Sequence, residues 1–165
     1  MNPNTYNEYS SRNRLKGPLS HLLEHPVPDD FDPDEISWIT DKVGITDMEG
    51  AAEAFLTGNY VINVAPELEW VTKDVDDITI PFSIRDGLKA ALIRCADLIQ
   101  TVLQKDPNNK VVIHCAMGME RAPLAVVGYL VNYHDMSVDD AYKAIAAKRP
   151  IVLDRRHRVD DEAWA

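Results

Sequence analysis

Cys115 and Arg121 stand six positions apart, among residues suited to handling a phosphoryl group. Val111-Val112-Ile113 lead through His114 to Cys115, and Ala116-Met117-Gly118-Met119-Glu120 fill the interval to Arg121. Pro123 then opens an apolar run from Leu124 to Val131. The pattern predicts a buried strand, a tight loop and a helix, with Pro123 in the first turn, where its missing N–H leaves no bond unmade. Such a loop turns successive backbone N–H groups inward above a helix N-terminus and receives a phosphate-sized anion there. Gly118 supplies the backbone freedom that the curl demands.

Amides and a guanidinium around a thiol favour its thiolate form, which is the nucleophile. Arg121 offers a planar fork of donors that matches two phosphoryl oxygens, which a lysine ammonium does not. Cys115 would attack phosphorus while the amides and Arg121 hold the equatorial oxygens as charge spreads over them. Ala116, Met117, Gly118, Met119 and Glu120 are therefore the expected phosphate-binding residues. His114 neighbours Cys115 on a strand, so its side chain points to the opposite face, which suits a supporting role. Met117 and Met119 either line the rim or pack beneath the loop. Glu120 orients Arg121, helps position water, or is simply solvated near a helix N-terminus.

The stretch His114-Cys115-Ala116-Met117-Gly118-Met119-Glu120-Arg121-Ala122 resembles the His-Cys-x5-Arg signature of the cysteine-dependent protein phosphatases, specifically their compact dual-specificity branch. The resemblance implies an α/β fold and hydrolysis of phosphotyrosine and phosphoserine or phosphothreonine in protein substrates, with no cofactor and no metal. It also implies that His114 helps set the loop, and that a loop aspartate earlier in the chain protonates the leaving oxygen. Ile80-Pro81-Phe82-Ser83-Ile84-Arg85-Asp86 matches that aspartate's setting, and Asp86 lies 29 positions before Cys115. Asp86 is the expected acid, although an aspartate there also suits a helix cap. Asp74, Asp76 and Asp77 are the fallback acids. One departure stands out: the family usually carries serine or threonine after the arginine, to support the departing sulfur, and here the residue is Ala122.

The surrounding elements must position these groups. Ile36–Thr40 and Tyr60–Ala65 read as strands, and Ile78–Ile84 as a strand that Pro81 confines to an edge or an end. Thr46-Asp47-Met48-Glu49 reads as a capping box for a helix through Ala51 to Leu56, ended by Gly58. A long helix is predicted from Leu88 to Gln104 with Leu88, Ala91, Leu92, Cys95, Leu98, Ile99 and Val102 on one face, which makes Cys95 a core thiol. The helix behind the loop ends near His134, and another runs from the cap at Ser137 to Lys148, stopped by Arg149-Pro150. Helices between strands predict a single-domain sandwich with a central mixed sheet, the cysteine loop lying beyond a strand's carboxyl end. Residues 36–165 are expected to form that domain, which the resemblance implies is the phosphatase catalytic domain. Residues 1–35, polar and proline-bearing, are expected as an arm that is extended or partly flexible.

The 165 residues suffice for one domain with a proper core. No apolar run approaches a membrane span, and the N-terminus lacks signal-peptide character. Two cysteines, one with a thiolate role, point to a reducing cytoplasm rather than a disulfide scaffold. The net charge of −10 makes nucleic acid and anionic membrane poor partners. The acidic run Asp29 to Glu35 lacks the glycine and distal glutamate of a calcium loop and reads as solvated. Arg155 to Arg158 also reads as a solvated face, with a second phosphate site as its alternative. Two other functions stay open: a related phosphatase for RNA 5′ phosphates, lipids or sugars, and a phosphate-binding module that has lost turnover. The sequence leaves the oligomeric state open.

Overall fold

Apolar, β-branched segments too short for helices become the strands of one sheet. The computed structural model describes residues 10–83 and 87–159. Its strands are β1 (Ser37–Trp38), β2 (Val43–Thr46), β3 (Tyr60–Asn63), β4 (Ile78–Thr79) and β5 (Val111–His114). They lie in the order β1-β2-β5-β3-β4; β1 is antiparallel to β2 and the other pairs are parallel. Val111 sits opposite Val43 on one side and Tyr60 on the other, so β5 is central. The chain leaving its carboxyl end emerges between two neighbours, where open α/β sheets place ligands.

Alternation along β5 separates two apolar layers. Val111 and Ile113 join the main core with Leu92, Ile99, Leu124, Val127 and Ile145. Val112 faces the other way, against Ala51, Ala54 and Val61. The first layer is built by helices α4 (Leu88–Lys105), α5 (Arg121–Tyr133) and α6 (Val138–Lys148), the second by α2 (Ala51–Leu56). The bare Gly128 lets α5 close on α4: a β-carbon there would lie 2.7 Å from Leu92 Cγ. Each Leu or Ile sealed into this layer contributes about 1.5–3 kcal/mol of transfer free energy. The α/β class, the mixed sheet and the flanking helices agree with the sequence reading.

Three local expectations change. Residues 43–46, unassigned by sequence pattern, are the fully buried β2. Thr46 therefore closes a strand, its hydroxyl donating to the Asp34 carbonyl, while Asp47 Oδ1 accepts the Gly50 N–H at 2.8 Å. No side chain caps α2, so the expected capping box is instead a strand end followed by an aspartate turn. Within the expected extended arm, residues 10–35 contain α1 (Ser11–Lys16), capped by Ser10, and a 3-10 turn at Ser20–Leu22. Leu15 of α1 packs with Met117, Met119, Ile151 and Leu153, joined by Leu19, Leu23, Val27 and Phe31. These apolar residues are too widely spaced to show a period, yet they fold the segment onto the cysteine loop.

Candidate active site

The residues after β5 form a closed curl because their carbonyls are tied outward one after another. The Ala116 carbonyl accepts from Met48 N–H at 3.1 Å and the Met119 carbonyl from Leu153 N–H at 2.8 Å. Between them, Arg149 donates from Nη2 to the Met117 carbonyl at 3.0 Å and from Nε to the Gly118 carbonyl at 2.8 Å. Among the described residues, the N–H groups of 116–120 donate to no protein acceptor. They remain available to an anion, above the N-terminus of α5. Gly118 makes the curl possible at φ 69°; a β-carbon there would meet Arg149 Nη2 at 2.5 Å and the Thr46 carbonyl oxygen at 2.8 Å.

Arg149 is the residue that sequence reasoning missed, having been read only as a helix stop. It is fully buried and also donates to the Pro33 carbonyl and the Ser37 hydroxyl, each at 3.0 Å. Burial lowers its pKa to about 10, while Asp47 and Cys115 pull the other way, so it stays cationic at neutral pH. Behind the loop, Asp34, Asp47 and Glu49 bring carboxylate oxygens within 4.8 Å of one another. Burial first, then the Asp34 carboxyl, push Asp47 up to about 8. The acidic run read as solvated thus sends one member, Asp34, beneath the loop.

Cys115 and Arg121 line one pocket of about 200 Å3 together with Ala116, Met117, Met119 and Glu120. A larger groove of about 690 Å3 runs past Pro26, Trp38 and Lys148, but it holds no thiol, so size does not mark the chemistry. Arg121 is gripped by Glu67, Nη1 to Oε2 at 2.7 Å and Nη2 to Oε1 at 2.5 Å. Burial opposes the Arg121 charge, but Glu67, Cys115 and Glu120 outweigh it and raise its pKa. The Arg121 hydrogen bonds hold Glu67 below the usual carboxylate range. Glu67 was a second residue missed by sequence; it stands 54 positions from its partner, with no local signal to link them.

The remaining candidates fall into place around this pair. Glu120 turns away from Arg121: its Oε1 accepts from Arg155 at 2.9 Å and its Oε2 from Arg158 at 3.2 Å. Burial works to raise the Glu120 pKa, but the two arginines lower it overall. Arg156 pairs with Asp154 and Asp139, so the Arg155–Arg158 cluster is an ion-pair network rather than a solvated face. Met117 and Met119 are buried, packing beneath the loop while they line the pocket. His114 faces away from the pocket, as strand alternation requires; its Nε2 donates to Asp76 Oδ1 at 2.6 Å, with both side chains buried. Cys95 is a core thiol, pushed up to about 12 by burial.

Asp86, the expected acid, lies outside the described residues, between Phe82 in the core and the start of α4. The cap position of α4 belongs to Gly87, at φ 86°. Two fallback acids are committed elsewhere. Asp76 holds His114 and accepts the Thr72 hydroxyl at 2.5 Å, and Asp77 accepts the Val61 N–H at 2.8 Å. Asp74 is exposed beyond α3 (Glu69–Thr72).

Comparison with known proteins bears on the same residues. The family described as "Dual specificity phosphatase, catalytic domain" matches residues 48–159. Dual specificity protein phosphatase 26 from Homo sapiens is 35% identical over 60 residues, which cover 36% of this chain and 28% of that protein. The probable dual specificity protein phosphatase H1 homolog of fowlpox virus is 27% identical over 114 residues, covering 66% of this chain and 67% of that one. The chain thus spans well under two thirds of the first relative. In fold it is similar to the human tyrosine phosphatase-like serine/threonine/tyrosine-interacting protein, with a TM-score of 0.65 at 14% identity, covering 79% of this chain and 93% of the other.

Proposed function

This chain belongs to the dual-specificity phosphatase catalytic-domain family, and from that premise we propose that it hydrolyses phosphate monoesters on proteins through a phosphocysteine intermediate. One observation carries the reading. With the Ala116, Met117, Gly118 and Met119 carbonyls all tied outward, five consecutive N–H groups and one thiol are left for a tetrahedral oxyanion, beside the Arg121 guanidinium that Glu67 holds. That is a receptor for a transferring phosphoryl group, whose loop amides need no reorganisation during the reaction.

The Cys115 sulfur attacks phosphorus, and the bond from phosphorus to the leaving oxygen breaks. Asp86 gives that oxygen its proton, so the dephosphorylated side chain departs neutral. Water then attacks the phosphocysteine, Asp86 takes its proton, and the sulfur leaves as thiolate with release of inorganic phosphate. Arg121 bridges two equatorial oxygens throughout, with Glu67 setting the plane of its fork until substrate arrives. His114, locked by Asp76, fixes the strand end that carries Cys115. Substrates are phosphotyrosine and phosphoserine or phosphothreonine in proteins. Cys95 and Cys115 are both free thiols, and the cytoplasm keeps Cys115 in its reactive state.

An acidic body with a net charge of −10 and a ring of paired arginines disfavours polyanions such as RNA. Among the described residues no helix is long and apolar enough to cross a membrane. The test is a phosphopeptide panel run beside an aryl phosphate, 5′-phosphorylated RNA and inositol phosphates, in wild type, Cys115→Ser and Asp86→Asn. Peptide hydrolysis lost in Cys115→Ser is expected. Asp86→Asn should lose phosphocysteine formation from phosphoserine peptides and keep most of the burst on an activated aryl phosphate, whose leaving group needs no proton. Faster turnover of RNA or inositides than of any peptide would overturn the proposal.

A further inference from the structure

The catalytic pocket has a wall that the cysteine loop does not provide. Arg14 from α1, with Leu19 and Leu22 from the turn that follows, lines the same pocket as Cys115, Arg121 and Leu153. The placement of this wall is built in. Ser10 caps α1, Ser11 and Leu15 are buried, and Leu15 packs on Met117 and Met119 of the loop itself. Leu22 is 38% exposed, an apolar side chain held at the pocket edge.

The charges differ in their commitments. Arg121 is paired with Glu67, Arg155 and Arg158 with Glu120, Arg156 with Asp139 and Asp154, and Arg12 with Asp32. Arg14 is half-buried and lines the pocket, and its guanidinium has no carboxylate or hydrogen-bond partner among the described residues. In a chain this acidic, an uncommitted cation beside the phosphate receptor is a local reversal of charge. We propose that Arg14 is a specificity-determining residue that binds a second anionic group of the substrate, so that the preferred substrate is a phosphopeptide with an acidic side chain flanking the phosphorylated residue. Leu19, Leu22 and Leu153 cover the apolar part of the phosphorylated side chain between the two anionic ends. This rests on the phosphatase reading for the position of the phosphoryl group.

Binding is measured on Cys115→Ser protein, so it does not depend on turnover. The probes are three fluorescent phosphotyrosine peptides whose neighbouring residue is glutamate, phosphoserine or alanine, in low and in high salt. The glutamate and phosphoserine peptides should bind about fivefold more tightly than the alanine peptide, the upper range for a partly exposed ion pair, and salt should erase the difference. Adding Arg14→Gln should remove the preference, Arg14→Lys should retain part of it, and Arg14→Glu should reverse it. The glutamate and phosphoserine arms separate carboxylate from phosphate recognition, and preference for either supports the proposal. Equal binding of all three peptides by the Arg14-bearing protein overturns it, as does an Arg14→Gln loss shared equally by all three. Failure of the phosphatase reading shows separately, as absent hydrolysis by wild type with the binding preference intact.

Discussion

Arg149 and Gly118 are fitted to each other across 31 positions of sequence: the guanidinium donates to the Gly118 carbonyl at 2.8 Å and occupies the space a β-carbon would need. The shape of the anion-binding loop is therefore set from behind, by a cation that never touches substrate. Arg149→Met leaves the Pro33, Met117 and Gly118 carbonyls without their charged donor and should cost about 3 kcal/mol or more of stability. Denaturant unfolding checks this. Binding of vanadate to the folded variant should weaken too, whereas unchanged stability and affinity would assign the loop shape to the backbone alone.

Gly118→Ala adds strain at φ 69° and a contact that Arg149 and the Thr46 carbonyl cannot both avoid. The loop must shift by a large part of an ångström, and misplacement on that scale costs about a hundredfold in rate. Steady-state kcat/KM on an aryl phosphate reads the effect. An active Gly118→Ala would mean that the curl tolerates a side chain.

Glu67 occupies both prongs of the Arg121 fork, so an incoming phosphoryl group competes with a carboxylate of the same chain. The Glu67 side chain is 54% exposed, which limits the pair to about 1 kcal/mol. Glu67→Gln should therefore lower KM by up to about fivefold, with a smaller change in kcat. A raised KM would instead show that Glu67 is needed to aim the guanidinium.

Asp47 ties stability to pH. Its folded carboxyl titrates at about 8, against about 3.9 for an unfolded aspartate. Between those values the folded chain holds a proton that the unfolded chain has released. The stabilisation is thus full below the lower value and is lost as pH rises through the upper one. Thermal unfolding of wild type should show Tm falling across this window more steeply than in Asp47→Asn, which carries no titrating proton and keeps the bond to Gly50. Parallel slopes would mean that folding does not raise the Asp47 carboxyl.

Ala122 is completely buried at the start of α5 and offers no hydroxyl to the departing sulfur. Breakdown of the phosphocysteine should then be the slow step. A fast burst of released leaving group precedes slower turnover, and Ala122→Ser raises the steady rate while shrinking the burst. A steady rate unchanged by the substitution, with no burst in either protein, would remove this explanation.

The sequence showed what is local. The interval from Cys115 to Arg121 names a phosphate loop, and the apolar stripe from Leu88 to Val102 names α4, because both signals lie within a few turns of chain. Val43–Thr46 escaped notice, since four residues containing a glycine and a threonine show little strand character until Val111–His114 pairs with them. The grip of Arg149 on the loop and of Glu67 on Arg121 depends on elements far apart in sequence, so neither leaves a periodic trace. The same holds for α1, whose single buried leucine becomes meaningful only against Met117, Met119, Ile151 and Leu153.

The central claim is a covalent bond between Cys115 and phosphorus. Wild-type protein mixed with an aryl phosphate, quenched in acid within the burst and digested for mass spectrometry should carry one phosphoryl group on the Cys115 peptide, absent from Cys115→Ser. Rapid release of phosphate with an unmodified Cys115 peptide at every quench time would contradict it.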